Sequence, residues 1–175
     1  ATSILDADGQ PYAPGTIDPE GIALSGDGSI WVSTDGVTQS LVEASVGEYD
    51  RATGLLKQRL PLPKYYIPDA AGEVQTVGIQ NNLGFESLTL DVNGSFRNGE
   101  PFRIFTATES ALAQDRDVPP ETTESSETPA EPALVKNRVL HYLVTAGMPQ
   151  IIAEHLYLLD TPPPLTLNHG LSELH

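Results

Sequence analysis

One pattern of residues occurs twice in this chain and then begins a third time. It consists of a glutamate, an alternating apolar stretch, an Asx-Gly turn, a second apolar stretch and a closing acid. The first copy runs over residues 19–35 and the second over 85–109, and residues 168–174 resemble the start of the second copy at 82–88. Alternating stretches joined by Asx-Gly turns are typical of β-hairpins. The pattern therefore predicts an all-β chain built from repeated sheets.

The spacing of the copies favours one architecture, an incomplete β-propeller-like fold. Glu20 and Glu86 are 66 residues apart, and Gly84 and Gly170 are 86 residues apart. Such periods fit four-stranded propeller blades with insertions better than short helical repeats. We expect two blades and the start of a third: a blade over 20–60, a connection over 61–83, a blade over 84–160 and a third start at 168–175. Since a ring needs roughly 4–8 blades, the missing blades are expected to come from the parent chain or a partner.

The second blade contains an acidic insertion of low complexity over residues 115–134, rich in Glu, Thr, Ser and Pro. Such a stretch buries too little apolar surface to offset the entropy of ordering it. We expect a disordered or solvated loop between the second and third strands of this blade.

Composition excludes several classes of function. The net charge of −15 argues against nucleic acid as a partner, because phosphates are bound by Lys and Arg. The absence of cysteine excludes disulfides and thiolate chemistry. No apolar run approaches the roughly 18 residues of a membrane span, so none is predicted.

Acids recur at equivalent points of the two copies. Glu20 and Glu86 open the first strand of each blade, and Asp35 and Glu109 close the second. Paired antiparallel strands bring these ends together. In a propeller, the first strand of each blade lines the central channel, so the four carboxylates are expected at one rim of that channel. There they could hold a hard cation such as calcium, which prefers oxygen ligands. Alternatively, the acids cap strand ends or bind backbone amides.

Three further residues are candidates for substrate binding. Asn82 and His169 lie just before the second and third repeats and could present an amide and an imidazole at the same rim. Both could equally shape turns. Arg116 follows Glu109 closely and could bind a phosphate or carboxylate, or pair with a neighbouring acid.

The ordered set of motifs resembles the phytase-like family known for an esterase-like activity of phytase. The motifs lie at 20–33, 49–54, 60–63, 82–90, 107–115 and 170–174. The resemblance implies a β-propeller, hydrolase activity on phosphate or carboxylate esters, and a periplasmic or extracellular bacterial protein. It also implies that Glu20, Glu86, Glu109 and Glu173 are recurring family glutamates, and Glu173 is a fourth candidate for substrate binding. Two departures stand out: the family domain is longer than this chain, and Ser87 occupies a position where the family usually has glycine.

Three hypotheses of function follow. The leading one is a metal-assisted hydrolase of small-molecule esters or phosphoesters, with calcium as the cofactor. The second is a non-catalytic extracellular binding or scaffold propeller. A lactonase-like propeller that prefers cyclic esters is the third. All three depend on analogy of fold, and a fold alone does not dictate function.

Overall fold

The computed structural model describes residues 3–40, 42–91, 100–116, 134–161 and 169–174. Within these residues, eight strands form two four-stranded antiparallel sheets, each with its strands in chain order. The first sheet contains β1 (Pro19–Leu24), β2 (Ser29–Thr34), β3 (Ser45–Asp50) and β4 (Leu56–Arg59). The second contains β5 (Phe85–Leu90), β6 (Phe102–Thr108), β7 (Lys136–Thr145) and β8 (Met148–Leu158). The prediction of an all-β chain is confirmed.

Short side chains close the hairpins of the first sheet. Between β1 and β2, the Asp27 carboxylate accepts a hydrogen bond from the backbone N–H of Ser29 at 3.0 Å. Between β3 and β4, Asp50 accepts one from the backbone N–H of Thr53 at 2.8 Å, and Gly54 has a φ of +78°. Asp fixes such a turn and Gly provides its left-handed backbone, as the sequence motif predicts.

The last hairpin is longer than the sequence indicates. Alternating apolar residues in the sequence predict strands at about 139–144 and 151–158. In the structure, β7 and β8 are joined by only two residues, Ala146 and Gly147, both with positive φ. Two such residues form the turn whose twist matches that of paired strands. Pro149 would disfavour a strand in the middle of a sheet, but it is tolerated here because β8 lies at the edge of the sheet.

Two expected segments lie wholly or partly beyond the described residues. The connection from β6 to β7 contains the acidic insertion, whose residues 117–133 are outside the description. Residues 168 and 175 of the expected third start are also outside it, and 169–174 contain no strand.

Helical structure in the described ranges consists of 3-10 turns of three residues: Thr38–Ser40, Lys64–Tyr66, Gly72–Val74 and Ala113–Asp115. No helix of that part of the chain is long and apolar enough to cross a membrane.

The two sheets share one apolar core. Trp31 of the first sheet is fully buried together with Phe85, Ile104 and Leu140 of the second. The backbones also approach closely, since a Cβ added at Gly21 of β1 would lie 2.9 Å from the Cβ of Leu88 in β5. The first strand of one sheet thus packs directly on the first strand of the next.

A polar cluster attaches the connection between the sheets to the second sheet. Tyr65 and Tyr66 donate hydrogen bonds to the Glu154 carboxylate at 2.6 and 2.8 Å. Arg138 donates to the same carboxylate at 2.7 Å and makes two hydrogen bonds to Asp115, at 2.5 and 2.9 Å. The guanidinium therefore joins β7, β8 and the 3-10 turn Ala113–Asp115 that follows β6.

Replacing this guanidinium should destabilise the fold. Arg138→Ala leaves two carboxylates without their cation, and hydrogen bonds to charged groups contribute roughly 1.5–3 kcal/mol each. We expect the free energy of unfolding to fall by about 2 kcal/mol, measured by urea denaturation. The matched control is Arg51→Ala at an exposed position, which should change it by less than about 0.5 kcal/mol. Equal effects of the two variants would contradict a structural role for the cluster.

Candidate functional site

The strand that opens each sheet contains a β-bulge at its glutamate. In β1 the bulge lies between Pro19 and Ile22, around Glu20. In β5 the extra residue is Glu86 itself. A bulge bends its strand and redirects the side chain at that point, so the two glutamates leave the regular alternation in the same way.

The side chains of Glu20, Asp35 and Glu86 meet at this point. One carboxylate oxygen of each lies within 4.8 Å of one from each of the others. Asp35 directly follows β2, and its backbone N–H donates to the carbonyl oxygen of Asp18 at 3.1 Å. Three separate strand ends therefore bring three negative charges together.

Asp35 is the buried centre of this cluster. Its exposed fraction is 0%, and neither carboxylate oxygen accepts a hydrogen bond from the described residues. Burying an ionised carboxylate without a partner is strongly unfavourable. The group must therefore be protonated or be paired with a cation.

The electrostatics of the cluster agree with this conclusion. Burial, followed by the charges of Glu86, Glu20, Glu109 and Asp18, raises the pKa of Asp35 to about 7. Burial and neighbouring acids also raise the pKa values of Glu20, Glu86 and Glu109. Two cooperating causes, desolvation and like charge, thus act on every one of these four acids.

Glu109 lies beside the three clustered acids. It directly follows β6, and its backbone N–H donates to the carbonyl oxygen of Gly84 at 2.7 Å. The buried amide of Asn137 donates to the main-chain oxygen of Glu109 at 2.5 Å. The charge of Glu109 acts on Asp35, but its oxygens are not among the three closest groups.

Glycine permits a close approach next to each of the two acids that follow a second strand. A Cβ at Gly84 would lie 2.6 Å from the carbonyl oxygen of Asp35, and one at Gly170 would lie 2.5 Å from Cγ of Glu109. Leu171 adds a hydrogen bond from its N–H to the carbonyl oxygen of Glu109 at 2.9 Å. The chain just before β5 therefore packs directly against Asp35, and residues 170–171 pack directly against Glu109.

Two of the residues predicted to bind substrate, Asn82 and Arg116, have exposed side chains. Asn82 is exposed with a φ of +55°, a conformation typical of a turn. Arg116 is exposed and donates to the carbonyl oxygen of Ala113 at 3.3 Å.

The remaining two candidates lie in the segment 169–174. His169 donates from Nε2 to the carbonyl oxygen of Asp160 at 2.8 Å. Glu173 is exposed. Neither side chain belongs to the carboxylate cluster.

Sequence reasoning missed Asp18. The charge of this residue raises the pKa values of Glu20, Asp35 and Glu86. One signal was available, because Asp18 lies only two positions before Glu20, the first of the recurring glutamates.

Two packed antiparallel sheets with clustered carboxylates at their junction define an all-β protein with an acidic centre. Residues 1–175 match the family model described as Phytase-like, esterase-like activity of phytase. The chain belongs to this family, whose description indicates a hydrolase-like function. No curated protein and no solved structure matches the chain.

The raised pKa of Asp35 predicts an unusual dependence of stability on pH. Because the pKa of this carboxyl rises from its ordinary 3.8 to about 7 on folding, the folded protein binds the proton more tightly than the unfolded chain. Without divalent cations, stability should therefore fall as pH rises from about 4 to about 7 and then level off. Asp35→Asn should remove part of this loss and stabilise the protein at pH 8 by about 2 kcal/mol.

Urea denaturation in EDTA at several pH values measures the effect. The lowered pKa of His141 acts in the opposite direction, because it costs stability below pH 6.5, so the comparison with Asp35→Asn isolates the aspartate. Glu43→Gln, an exposed acid outside the cluster, is the control. Identical pH profiles for Asp35→Asn and the unmodified protein would show that this carboxyl is not perturbed.

Proposed function

We propose that Glu20, Asp35 and Glu86 bind a calcium ion in the catalytic centre of a hydrolase of esters or phosphoesters. One observation supports this most directly: the Asp35 carboxylate is fully buried, accepts no hydrogen bond from the described residues and lies beside two further carboxylates. Such a group requires a positive charge or a proton. A cation satisfies all three acids at once, whereas a proton satisfies one.

The ligand set fits calcium. Oxygens bound to one calcium ion at 2.3–2.6 Å lie at most about 5 Å apart, and the three oxygens here are within 4.8 Å of one another. The cluster contains neither cysteine nor histidine, the ligands on which zinc sites usually depend. Magnesium sites usually take only one or two carboxylates, so a three-carboxylate set favours calcium.

The cluster also accounts for the way an anionic substrate would bind. The charges with the largest effect on the pKa of Asp35 are all negative, so these acids repel a phosphate or carboxylate. A bound calcium ion would reverse the local charge, polarise the phosphoryl or acyl oxygen and activate water. The substrate class we propose is therefore a small ester or phosphate ester whose binding requires the cation.

We assign Glu109 the role of general base. Burial and the charge of Glu20 raise its pKa, which makes its carboxylate a better proton acceptor. Its backbone is fixed by hydrogen bonds from Asn137 and Leu171. It can therefore accept a proton from water while the three clustered acids hold the ion.

Calcium should raise the melting temperature of this protein. A ligand that binds only the folded state at 100 times its Kd adds about 2.7 kcal/mol, which corresponds to a shift of roughly 5–10 °C for a domain of this size. Glu86→Gln should remove most of this shift and lower turnover of nitrophenyl phosphate and nitrophenyl acetate at least tenfold, with the fold intact.

The control for that experiment is Glu43→Gln, which makes the same chemical change at an exposed acid. Differential scanning calorimetry with EDTA and with millimolar calcium gives the melting temperatures, and circular dichroism checks the fold. A cooperative melt that calcium does not shift would refute the cation site and favour the non-catalytic scaffold.

We further propose that the two sheets are blades of a propeller. Leu88 and Leu90 of β5 are 9% and 6% exposed and pack in the core shared with the first sheet. Ile22 and Leu24 occupy the same positions after the bulge in β1, but they are 70% and 53% exposed. A preceding sheet that packs as the first packs on the second would cover them. Roughly 4–8 such sheets close a ring. A periplasmic or extracellular location of the protein remains our prediction.

Polar substitution of the uncovered pair tests this arrangement. In the protein as the cell makes it, Ile22→Ser with Leu24→Ser should lower the free energy of unfolding by about 3 kcal/mol, because a buried Leu or Ile side chain contributes about 1.5–3 kcal/mol. Val74→Ser, at a side chain that is 73% exposed, should change it by less than about 0.5 kcal/mol. If the double variant loses no more than this control in urea denaturation, no further sheet covers the face.

A further inference from the structure

We propose that Ser33 and Ser87 are positioning residues whose hydroxyls hold the bulges of β1 and β5, so that Glu20 and Glu86 point towards Asp35. The effect on ion binding rests on the proposed function of the cluster. The geometric claim concerns the bulges themselves and stands apart from it.

We call the hydrogen bond of the serine hydroxyl that holds a bulge the clamp. In the first sheet, the serine of the clamp lies on the partner strand β2. Ser33 of β2 is fully buried, and its hydroxyl oxygen accepts a hydrogen bond from the backbone N–H of Gly21 at 2.9 Å. Gly21 is the residue after Glu20, inside the bulge. A Cβ at Gly21 would lie 2.6 Å from the hydroxyl oxygen of Ser33. The serine hydroxyl therefore occupies the space that the glycine leaves.

In the second sheet the serine comes from the bulged strand itself. Ser87 of β5 is 1% exposed, and its hydroxyl oxygen accepts a hydrogen bond from the backbone N–H of Ala107 at 3.2 Å. Ala107 of β6 has the position that Ser33 has in β2, and Ser87 has that of Gly21. The serine and the small residue have exchanged strands.

The exchange has a physical reason. A bulge removes a backbone group from the ladder of hydrogen bonds, and leaving a buried N–H without a partner costs about 1–3 kcal/mol. These positions are closed to solvent, since Ser33 and Ala107 are 0% exposed. A hydroxyl from either strand can supply the missing acceptor, which explains why the first sheet has glycine at position 21 where the second has serine at position 87.

The clamp acts on the carboxylate site through the adjacent residue in the chain. Glu20 immediately precedes Gly21, and Glu86 immediately precedes Ser87. The group held by each clamp is therefore one residue away from a glutamate that we propose as a calcium ligand. Oxygens that must meet within 4.8 Å tolerate little movement of the strand. Loosening either bulge should therefore weaken ion binding more than it weakens the fold.

The experiment compares Ser87→Ala with the double variant Ser87→Gly, Ala107→Ser, which recreates the arrangement of the first sheet. We expect Ser87→Ala to weaken calcium binding about tenfold, as the loss of one buried hydrogen bond would. The double variant should restore it to within about threefold. Isothermal titration calorimetry measures the affinity, and amide chemical shifts at Glu86 and Leu88 report the bulge without calcium.

Ser25→Ala is the matched control. Its hydroxyl is buried and donates to the carbonyl oxygen of Ser29 at 3.0 Å, in the turn at the other end of β1. This variant should lose stability like Ser87→Ala yet bind calcium within about twofold of the unmodified protein. A purely structural role for Ser87 would move both variants alike.

The outcomes separate the two proposals. If the unmodified protein binds no calcium, the proposed function fails, and the chemical shifts alone then decide whether the serine holds the bulge. If Ser87→Ala leaves both the affinity and the shifts unchanged, the clamp is refuted. It is also refuted if the double variant restores neither.

Discussion

The close packing of β1 on β5 is the contact on which the rest of this structure depends. Gly21 has no Cβ, and the Cβ of Leu88 occupies the space beside it. This approach buries Trp31 between the sheets and places the bulges of the two first strands side by side. Because each bulge contains a glutamate, packing apolar surface at one point of the strands forces negative charges together at their ends.

Among the described residues, no cationic side chain is one of the main influences on the pKa values of Glu20, Asp35, Glu86 and Glu109. Arg138 pairs instead with Asp115 and Glu154, and Lys57 pairs with Glu48. Burial and like charge then make Asp35 a weak acid, with a pKa near neutrality. Perturbed carboxyl groups of this kind are typical of functional sites, and under the proposed function a cation would take the place of the proton, which connects the packing of the two sheets to the proposed chemistry.

Interactions between residues close together in the chain made much of the fold predictable. Features that depend on contacts between distant residues could not be predicted from the sequence. The Asp27 and Asp50 turns follow from short side-chain hydrogen bonds, and the sequence motif indicates both. The β7–β8 hairpin is longer than the alternation in the sequence predicts, because an edge strand tolerates Pro149 and only the structure shows that β8 lies at an edge. Asp18 was overlooked because it stands in a polar segment outside the repeated pattern. The positions of Asn82 and Arg116 in the chain do not reveal where their side chains point, so their role in substrate binding stays a prediction.

The sequence by itself determined that the chain forms β-hairpins and that acids recur at fixed points, since alternation and turn chemistry are local properties. Its motifs also carried the family to which the chain belongs. Only the tertiary structure decided which acids meet, that Asp35 is fully buried without a partner, and that serine hydroxyls close both bulges from opposite strands. These features depend on the register of the strands and on the packing of one sheet against the other. Both bring together residues that are far apart in the chain, from 12 positions for Gly21 and Ser33 to 66 for Glu20 and Glu86.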